Sequence, residues 1–152
     1  MVEFLILSER NFDKYINCLI SLDNQQFPHP WKPSHWLGLF SNLDRYLISL
    51  LIVNNNIAGY SLFEVNEFDG FAHLYKILIK KEFQKKKLSS KLLNFTIKQL
   101  ELRQVNSFYL EVAFENESAI ALYEKFGFKR LNLKQNFYAK GHHAYAMQRI
   151  TQ

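Results

Sequence analysis

The chain is predicted to form an α/β fold, a mixed and mostly antiparallel sheet with helices on both faces. Three observations predict it. Between Arg45 and Ile79, three apolar runs are separated by tight-turn signals. From Leu88 the apolar spacing changes to that of a helix, and the chain then returns to strand, helix and two further strands. The unit from Phe71 through Ala113 reads as strand–helix–strand, so its two strands should run parallel with a right-handed crossover.

In order, residues 2 to 8 read as a first strand. Ser8 has the character of an N-cap for a helix from Glu9 to Ser21, with Phe12, Ile16, Leu19 and Ile20 as the inner stripe. The stretch Phe27-Pro28-His29-Pro30-Trp31-Lys32-Pro33 holds all three prolines and is expected to be irregular. A short helix capped by Ser34 should follow, running to Ser41. Arg45 to Val53 and Ile57 to Val65 form a hairpin about Asn54-Asn55-Asn56, because asparagine tolerates left-handed geometry. Asp69-Gly70 turns the chain into a strand from Phe71 to Ile79.

The helix from Leu88 to Arg103 carries Leu88, Leu92, Leu93, Phe95, Thr96, Ile97, Leu100 and Leu102 on its apolar side. Ser107 to Ala113 is a strand, and Asn116 to Phe126 a helix stopped by Gly127 in the left-handed position. Strands from Phe128 to Tyr138 and from His143 to Ile150 close the order βααβββαβαββ.

With 152 residues, 48% of them apolar and 22% charged, the chain is expected to be one globular domain spanning residues 1–152 rather than a disordered segment. The apolar start is too short for a membrane span and lacks a secretory leader's basic and cleavage regions. A single cysteine excludes an intramolecular disulfide, so the expected location is the cytoplasm, with Cys18 a buried and inert thiol. The net charge of +5 favours an anionic partner: nucleic acid, a ribosomal surface or a phosphorylated cofactor.

Two segments carry candidate chemistry. Lys80-Lys81-Glu82-Phe83-Gln84-Lys85-Lys86-Lys87-Leu88-Ser89-Ser90-Lys91 feeds a basic loop into a helix N-terminus. There, unpaired N–H groups, the positive dipole end and lysines converge on an anion site; a solvated basic turn is the alternative. Glu111 lies in an otherwise apolar strand, either pointing to solvent or serving as a placed carboxylate. Asn116 is a helix cap or a ligand contact, and Tyr123 a core residue or a proton donor.

In combination these residues resemble the GNAT acetyltransferases, and among them the RimI-type ribosomal-protein-alanine N-acetyltransferases. The resemblance is densest from Leu74 to Met147. It rests on Leu110-Glu111-Val112, Asn116 with Ala119, Leu122-Tyr123 and Gly127-Phe128, and on Gln84 through Ser89 at the family's pyrophosphate loop. Phe27-Pro28 with Trp31, and Asn136-Phe137-Tyr138 with Ala144 and Met147, are similar to further family segments.

The resemblance implies a GNAT fold and acetyl-CoA as cosubstrate. The backbone of Ile77, Leu78 and Ile79 would pair with the pantetheine arm. The amides of Lys85, Lys86, Lys87, Leu88, Ser89 and Ser90 would hold the pyrophosphate, and Asn116 the cofactor's arm. Glu111 would be the proton acceptor, through water, and Tyr123 would protonate the thiolate. Trp31 and Tyr138 would face the acceptor, a protein N-terminus such as that of a ribosomal protein, or a small amine. An α-amino group has a pKa near 8 against about 10.4 for lysine, which suits a single carboxylate relay.

The sequence departs from the family at both loop glycines, replaced by Lys87 and Ser89. A positive φ at Lys87 would cost on the order of 1–2 kcal/mol. Phe137 replaces a tyrosine, and His143 stands where an acidic residue usually precedes the alanine. The contrasting function, a non-catalytic CoA-binding or RNA- and ribosome-binding module using Lys80 to Lys91, would want interleaved aromatics, and only Phe83 is present. His29, His35, His73, His142 and His143 lack ligand spacing and are expected in substrate loops or on the surface, with no metal.

Overall fold

The computed structural model describes residues 1–151; the last residue of the expected domain, 152, lies outside the described residues. The elements are β1 (Val2–Ile6), α1 (Phe12–Gln26), α2 (Pro33–Gly38), β2 (Tyr46–Val53), β3 (Asn56–Asn66), β4 (Phe71–Ile79), α3 (Leu88–Leu102), β5 (Ser107–Ala113), α4 (Glu117–Lys125), β6 (Lys129–Ala139) and β7 (His142–Ile150). They follow the predicted order, with short 3-10 turns added at Leu39–Asn42 and Lys81–Phe83.

The strands form one seven-stranded sheet in the order β1-β2-β3-β4-β5-β7-β6. Every neighbouring pair is antiparallel except β4 and β5, which run parallel as predicted. Alternation along the strands sends side chains to two cores. Ile48 and Leu50 of β2 and Tyr60 and Leu62 of β3 pack with Phe12, Ile16 and Leu19 of α1 and Trp36 of α2. Leu47 and Phe63 face the opposite side, with Leu93, Ile97 and Leu100 of α3 and Ile120 and Tyr123 of α4. The helices therefore cover both faces.

Some local boundaries differ from expectation. Asn11, not Ser8, precedes α1, because the Ser8 carbonyl accepts from the N–H groups of Asn11 and Phe12 in a turn, and the Ser8 N–H donates to Asn11 Oδ1 at 2.8 Å. The helix runs on past Ser21 to Gln26 because Leu22 and Asp23 continue its buried stripe. Pro33 opens α2 at its first position, with Lys32 rather than Ser34 as the cap; proline's fixed φ suits that place. Cys18 is exposed, since the stripe through Ile16 and Leu19 leaves it on the outer side of α1. Leu102, at the end of α3, is also exposed. The hairpin turn is as read, with Asn54 and Asn55 at φ +50° and +67°.

The fold's main polar tie was not predicted. Asp23 is fully buried and accepts from Lys76 Nζ at 2.8 Å, Tyr60 OH at 3.1 Å, Trp36 Nε1 at 3.1 Å and the Trp31 N–H at 2.7 Å. One carboxylate thereby joins α1, the loop after it, α2, β3 and β4. Removing one partner of a buried pair leaves the other charge unpaired and costs about 3–5 kcal/mol. Asp23→Ala is expected to lose stability on that scale in urea unfolding, and a paired Asp23→Leu, Lys76→Met change to lose less. A single variant within about 1 kcal/mol of wild type would refute this account.

Candidate active site

The site begins where strand pairing ends. Strands β4 and β5 are in register from Phe71↔Ser107 to Leu74↔Leu110 and no further. Beyond that point β4 stays paired to β3 through Ile79, and β5 to β7 through Ala113. The two strands separate, leaving a cleft of about 990 Å³ between them. Gly59 lets β3 follow β4 to its end, because a Cβ there would collide with the Leu78 carbonyl oxygen. The Ile79 carbonyl accepts from Gln84 Nε2 at 2.9 Å and Gln26 Nε2 at 3.1 Å, closing the end of the gap.

Nearly all the residues singled out in the sequence line this one cleft. Ile77, Leu78 and Ile79 come from β4, Glu111 from the end of β5, and Asn116 and Tyr123 from the start and second turn of α4. Lys85, Lys87, Leu88, Ser89 and Ser90 line it after the end of β4, Trp31 lines it beside Tyr75, and Tyr138 lines it beside His29. Lys86 is the exception: its ammonium lies over the Phe83 ring, 5.9 Å from the centroid.

Of the two positions where glycine is replaced, Lys87 has a left-handed backbone and Ser89 lies within α3. Lys85 and Lys87 have φ of +65° and +59°, and α3 starts at Leu88, immediately after the second. Leu88 is buried against Leu92, Leu51 and Ile79, which anchors the helix start beneath the loop. The loop keeps its bent form at the expense of two left-handed lysines.

Asn116 takes the capping role: its Oδ1 accepts from the Ala119 N–H and from Ser118 Oγ, both at 3.2 Å. Tyr123 is buried among core residues and also reaches the cleft wall. Burial pushes its hydroxyl well above the usual phenol range, with Tyr138 adding to the rise, so it stays protonated. Gly127, at φ +89°, ends α4 as predicted.

Glu111 does not point to open solvent. Its Oε1 is 2.8 Å from His73 Nε2, and its Oε2 accepts from Lys134 Nζ at 3.0 Å. Burial pushes this carboxyl up, but hydrogen bonds from His73, Lys134 and Tyr109 outweigh that and hold it at about 2. His73 thus departs from the expectation of a loop or surface histidine. Its signal in the sequence was weak: parallel pairing sets His73 opposite Tyr109, which puts Glu111 one step along the same face. His29, His142 and His143 do line the cleft, with His29 stacked on Tyr138 at 5.2 Å between ring centres. Among the described residues no cluster of metal-ligating side chains occurs, and no helix is long and apolar enough to cross a membrane.

A cleft between two splayed parallel strands, with an ionised carboxylate, a protonated phenol and a bent basic loop on its walls, belongs to a known class. Residues 14–128 match the Acetyltransferase (GNAT) family, and the chain belongs to that family of acetyltransferases, which use acetyl-CoA.

Its relatives narrow the class. The [ribosomal protein bS18]-alanine N-acetyltransferase of Salmonella typhimurium is 32% identical over 123 residues, covering 80% of each chain. The Escherichia coli K12 protein of the same name is 35% identical over 117 residues, covering 77% of this chain and 76% of that one. The crystal structure of the ribosomal-protein-S18-alanine N-acetyltransferase from Escherichia coli superposes with a TM-score of 0.87 at 26% identity, covering 100% and 96% of the two chains.

Two outcomes follow from this geometry. Lys87→Gly should raise stability by about 1 kcal/mol by relieving the left-handed side chain, read as a higher midpoint in thermal unfolding; a lower midpoint would refute the strain. The folded Glu111 carboxyl lies below its ordinary value of 4.5, so its stabilisation is complete above that pH and is lost as pH falls towards about 2. In urea titrations the stability gap between wild type and Glu111→Gln should be on the order of 2 kcal/mol at neutral pH, after allowance for solvent screening. It should close between about pH 4.5 and 2; a gap independent of pH would contradict the assignment.

Proposed function

We propose that this chain acetylates the α-amino group of a protein N-terminus, an N-terminal alanine of a ribosomal protein being the first candidate. The observation that carries the reading is the convergence of Glu111 and Tyr123 on one cleft that the left-handed loop at Lys85 and Lys87 also lines. The names of the relatives support the α-amino acceptor and its alanine.

The residues fit acetyl-CoA. The β4 edge beyond Leu74 carries backbone groups unpaired to β5, suited to an amide-bearing arm. The amides of residues 85 to 90, at the start of α3, suit a pyrophosphate, and the lysine side chains add positive charge. Asn116 Oδ1 is already engaged as a cap, so its contribution is to hold the start of α4 against the cleft. When bound, acetyl-CoA supplies an acyl thioester.

Glu111, ionised at neutral pH, is in the form that takes a proton from the acceptor ammonium through a water. Its low proton affinity makes it a relay to solvent rather than a store. The freed amine would form the new carbon–nitrogen bond as the carbon–sulfur bond breaks, and the proton its nitrogen sheds on becoming an amide would replace the one that Tyr123 gives up. Tyr123, protonated, then gives its proton to the departing sulfur. Trp31 and Tyr138 wall the acceptor side. The exposed lone thiol of Cys18 fits a reducing, cytoplasmic setting.

Calorimetry with acetyl-CoA, and with CoA for comparison, tests the cofactor: micromolar binding is expected, and none would refute the site. With a short peptide bearing a free N-terminal alanine, Glu111→Gln and Tyr123→Phe should each lower kcat by about 10²–10⁴-fold while acetyl-CoA still binds. Unchanged rates would overturn both roles, and turnover of small amines but no peptide would overturn the acceptor.

A further inference from the structure

The carboxylate that the proposed reaction depends on is gripped by side chains from two other strands. His73 projects from β4 and Lys134 from β6, and they take different oxygens of Glu111, at 2.8 and 3.0 Å. Lys134 reaches across β7, whose in-register residues on this face are alanines: Ala144 stands opposite Lys134, and Ala146 opposite Glu111. The imidazole is itself held, 4.4 Å from the Tyr75 ring and edge-on to Tyr109 at 5.0 Å. Tyr75 in turn donates to Glu64 Oε1 at 2.7 Å. The Lys134 ammonium lies over Tyr109 and Phe137, at 5.5 and 5.3 Å.

From this geometry we propose that His73 and Lys134 are positioning residues, which fix the orientation of the Glu111 carboxylate and keep it anionic for the incoming amine. The proposal rests on the reading of Glu111 given above. A carboxylate at the end of a strand has rotational freedom about its side chain, and a misplacement of about 1 Å in a reacting group can cost about 10²-fold in rate. Two charge-capable donors from opposite sides remove that freedom. The groups facing Glu111 are His73 and Tyr75 on β4, Tyr109 on β5, and Lys134 and Tyr138 on β6. Donors outweigh burial among them, and the low titration of the carboxyl agrees with this arrangement.

The test uses four variants, His73→Ala, His73→Gln, Lys134→Met and Lys134→Arg, beside Glu111→Gln. Each is assayed with acetyl-CoA and the alanine-terminated peptide, and the Glu111 carboxyl is titrated by carbon NMR. His73→Ala and Lys134→Met should each lower kcat by about 10–100-fold, with acetyl-CoA affinity unchanged and the Glu111 titration moved to higher pH. His73→Gln and Lys134→Arg, which restore a donor, should recover most of the rate. If the truncations turn over at the wild-type rate while Glu111→Gln is slow, the positioning role is overturned and the function of Glu111 stands. Slow truncations with an unmoved titration and no rescue by the donor variants would mark a purely structural role and also overturn it. A wild-type rate in Glu111→Gln would instead overturn the reading beneath the proposal.

Discussion

The short pairing between β4 and β5 is the constraint on which the remainder of the molecule is arranged. Each strand keeps its other neighbour, β5 pairing with β7 throughout and β4 with β3 except for a register shift that skips Tyr75. The extra residue of β4 at Tyr75 falls directly after its last pairing with β5, and such a bulge bends the strand that carries it. After Leu74 and Leu110 the two part, and the β5-side edge of β4 from Tyr75 onward meets the cleft instead of a partner strand. Backbone groups need partners, so a gap of this kind takes up water or an amide-rich ligand. The side-chain amides of Gln26 and Gln84 close it at Ile79, and α4 and the loop before α3 form its rim.

Two carboxylates are withdrawn from water in this protein, and their surroundings separate their work. Asp23 lies wholly inside, meets four donors and binds two layers of the fold together. Its ion pair with Lys76 is better understood as a device that seats the α1–α2 loop on β4 than as a source of net stability, because desolvation offsets most of the attraction. That loop brings Phe27, His29 and Trp31 to the cleft. Glu111 lies at the cleft's edge, where its side chain keeps 11% exposure, and so remains within reach of a substrate. One carboxylate shapes a wall of the cleft; the other stands at its edge.

The strands around the site were legible because local signals agreed there. The bounds of β4 and β5 match the sequence reading, and the turn at Asn54 and Asn55 has the left-handed backbone that asparagine permits. The start of α1 was misread because Ser8 and Asn11 are both good caps and only the turn between them decides. Cys18 was misplaced because the buried stripe runs through Phe12, Ile16, Leu19 and Leu22 and leaves Cys18 on the outer side of the helix. Glu111, Asn116 and Tyr123, singled out in the sequence, line the cleft, but their partners were not foreseen. His73, Lys134, Asp23 and Lys76 act across 23 to 53 residues of chain, and no local pattern encodes such distances. Lys76, a lone charge inside an apolar strand, was the one visible hint that a buried anion must lie opposite.

The lysines of the loop before α3 have a consequence for how the protein responds to its solvent. Where the family pattern carries uncharged glycine, this chain has placed an ammonium beside two others, ahead of a helix N-terminus that is itself positive. Dissolved ions weaken the mutual repulsion of these groups, and equally their attraction for a polyanion, over a Debye length of about 8 Å at physiological ionic strength. Rising salt therefore weakens the repulsion among the loop's ammonium groups and their attraction for any polyanion alike. The two effects pull in opposite directions, and the extra ammonium at Lys87 adds to both.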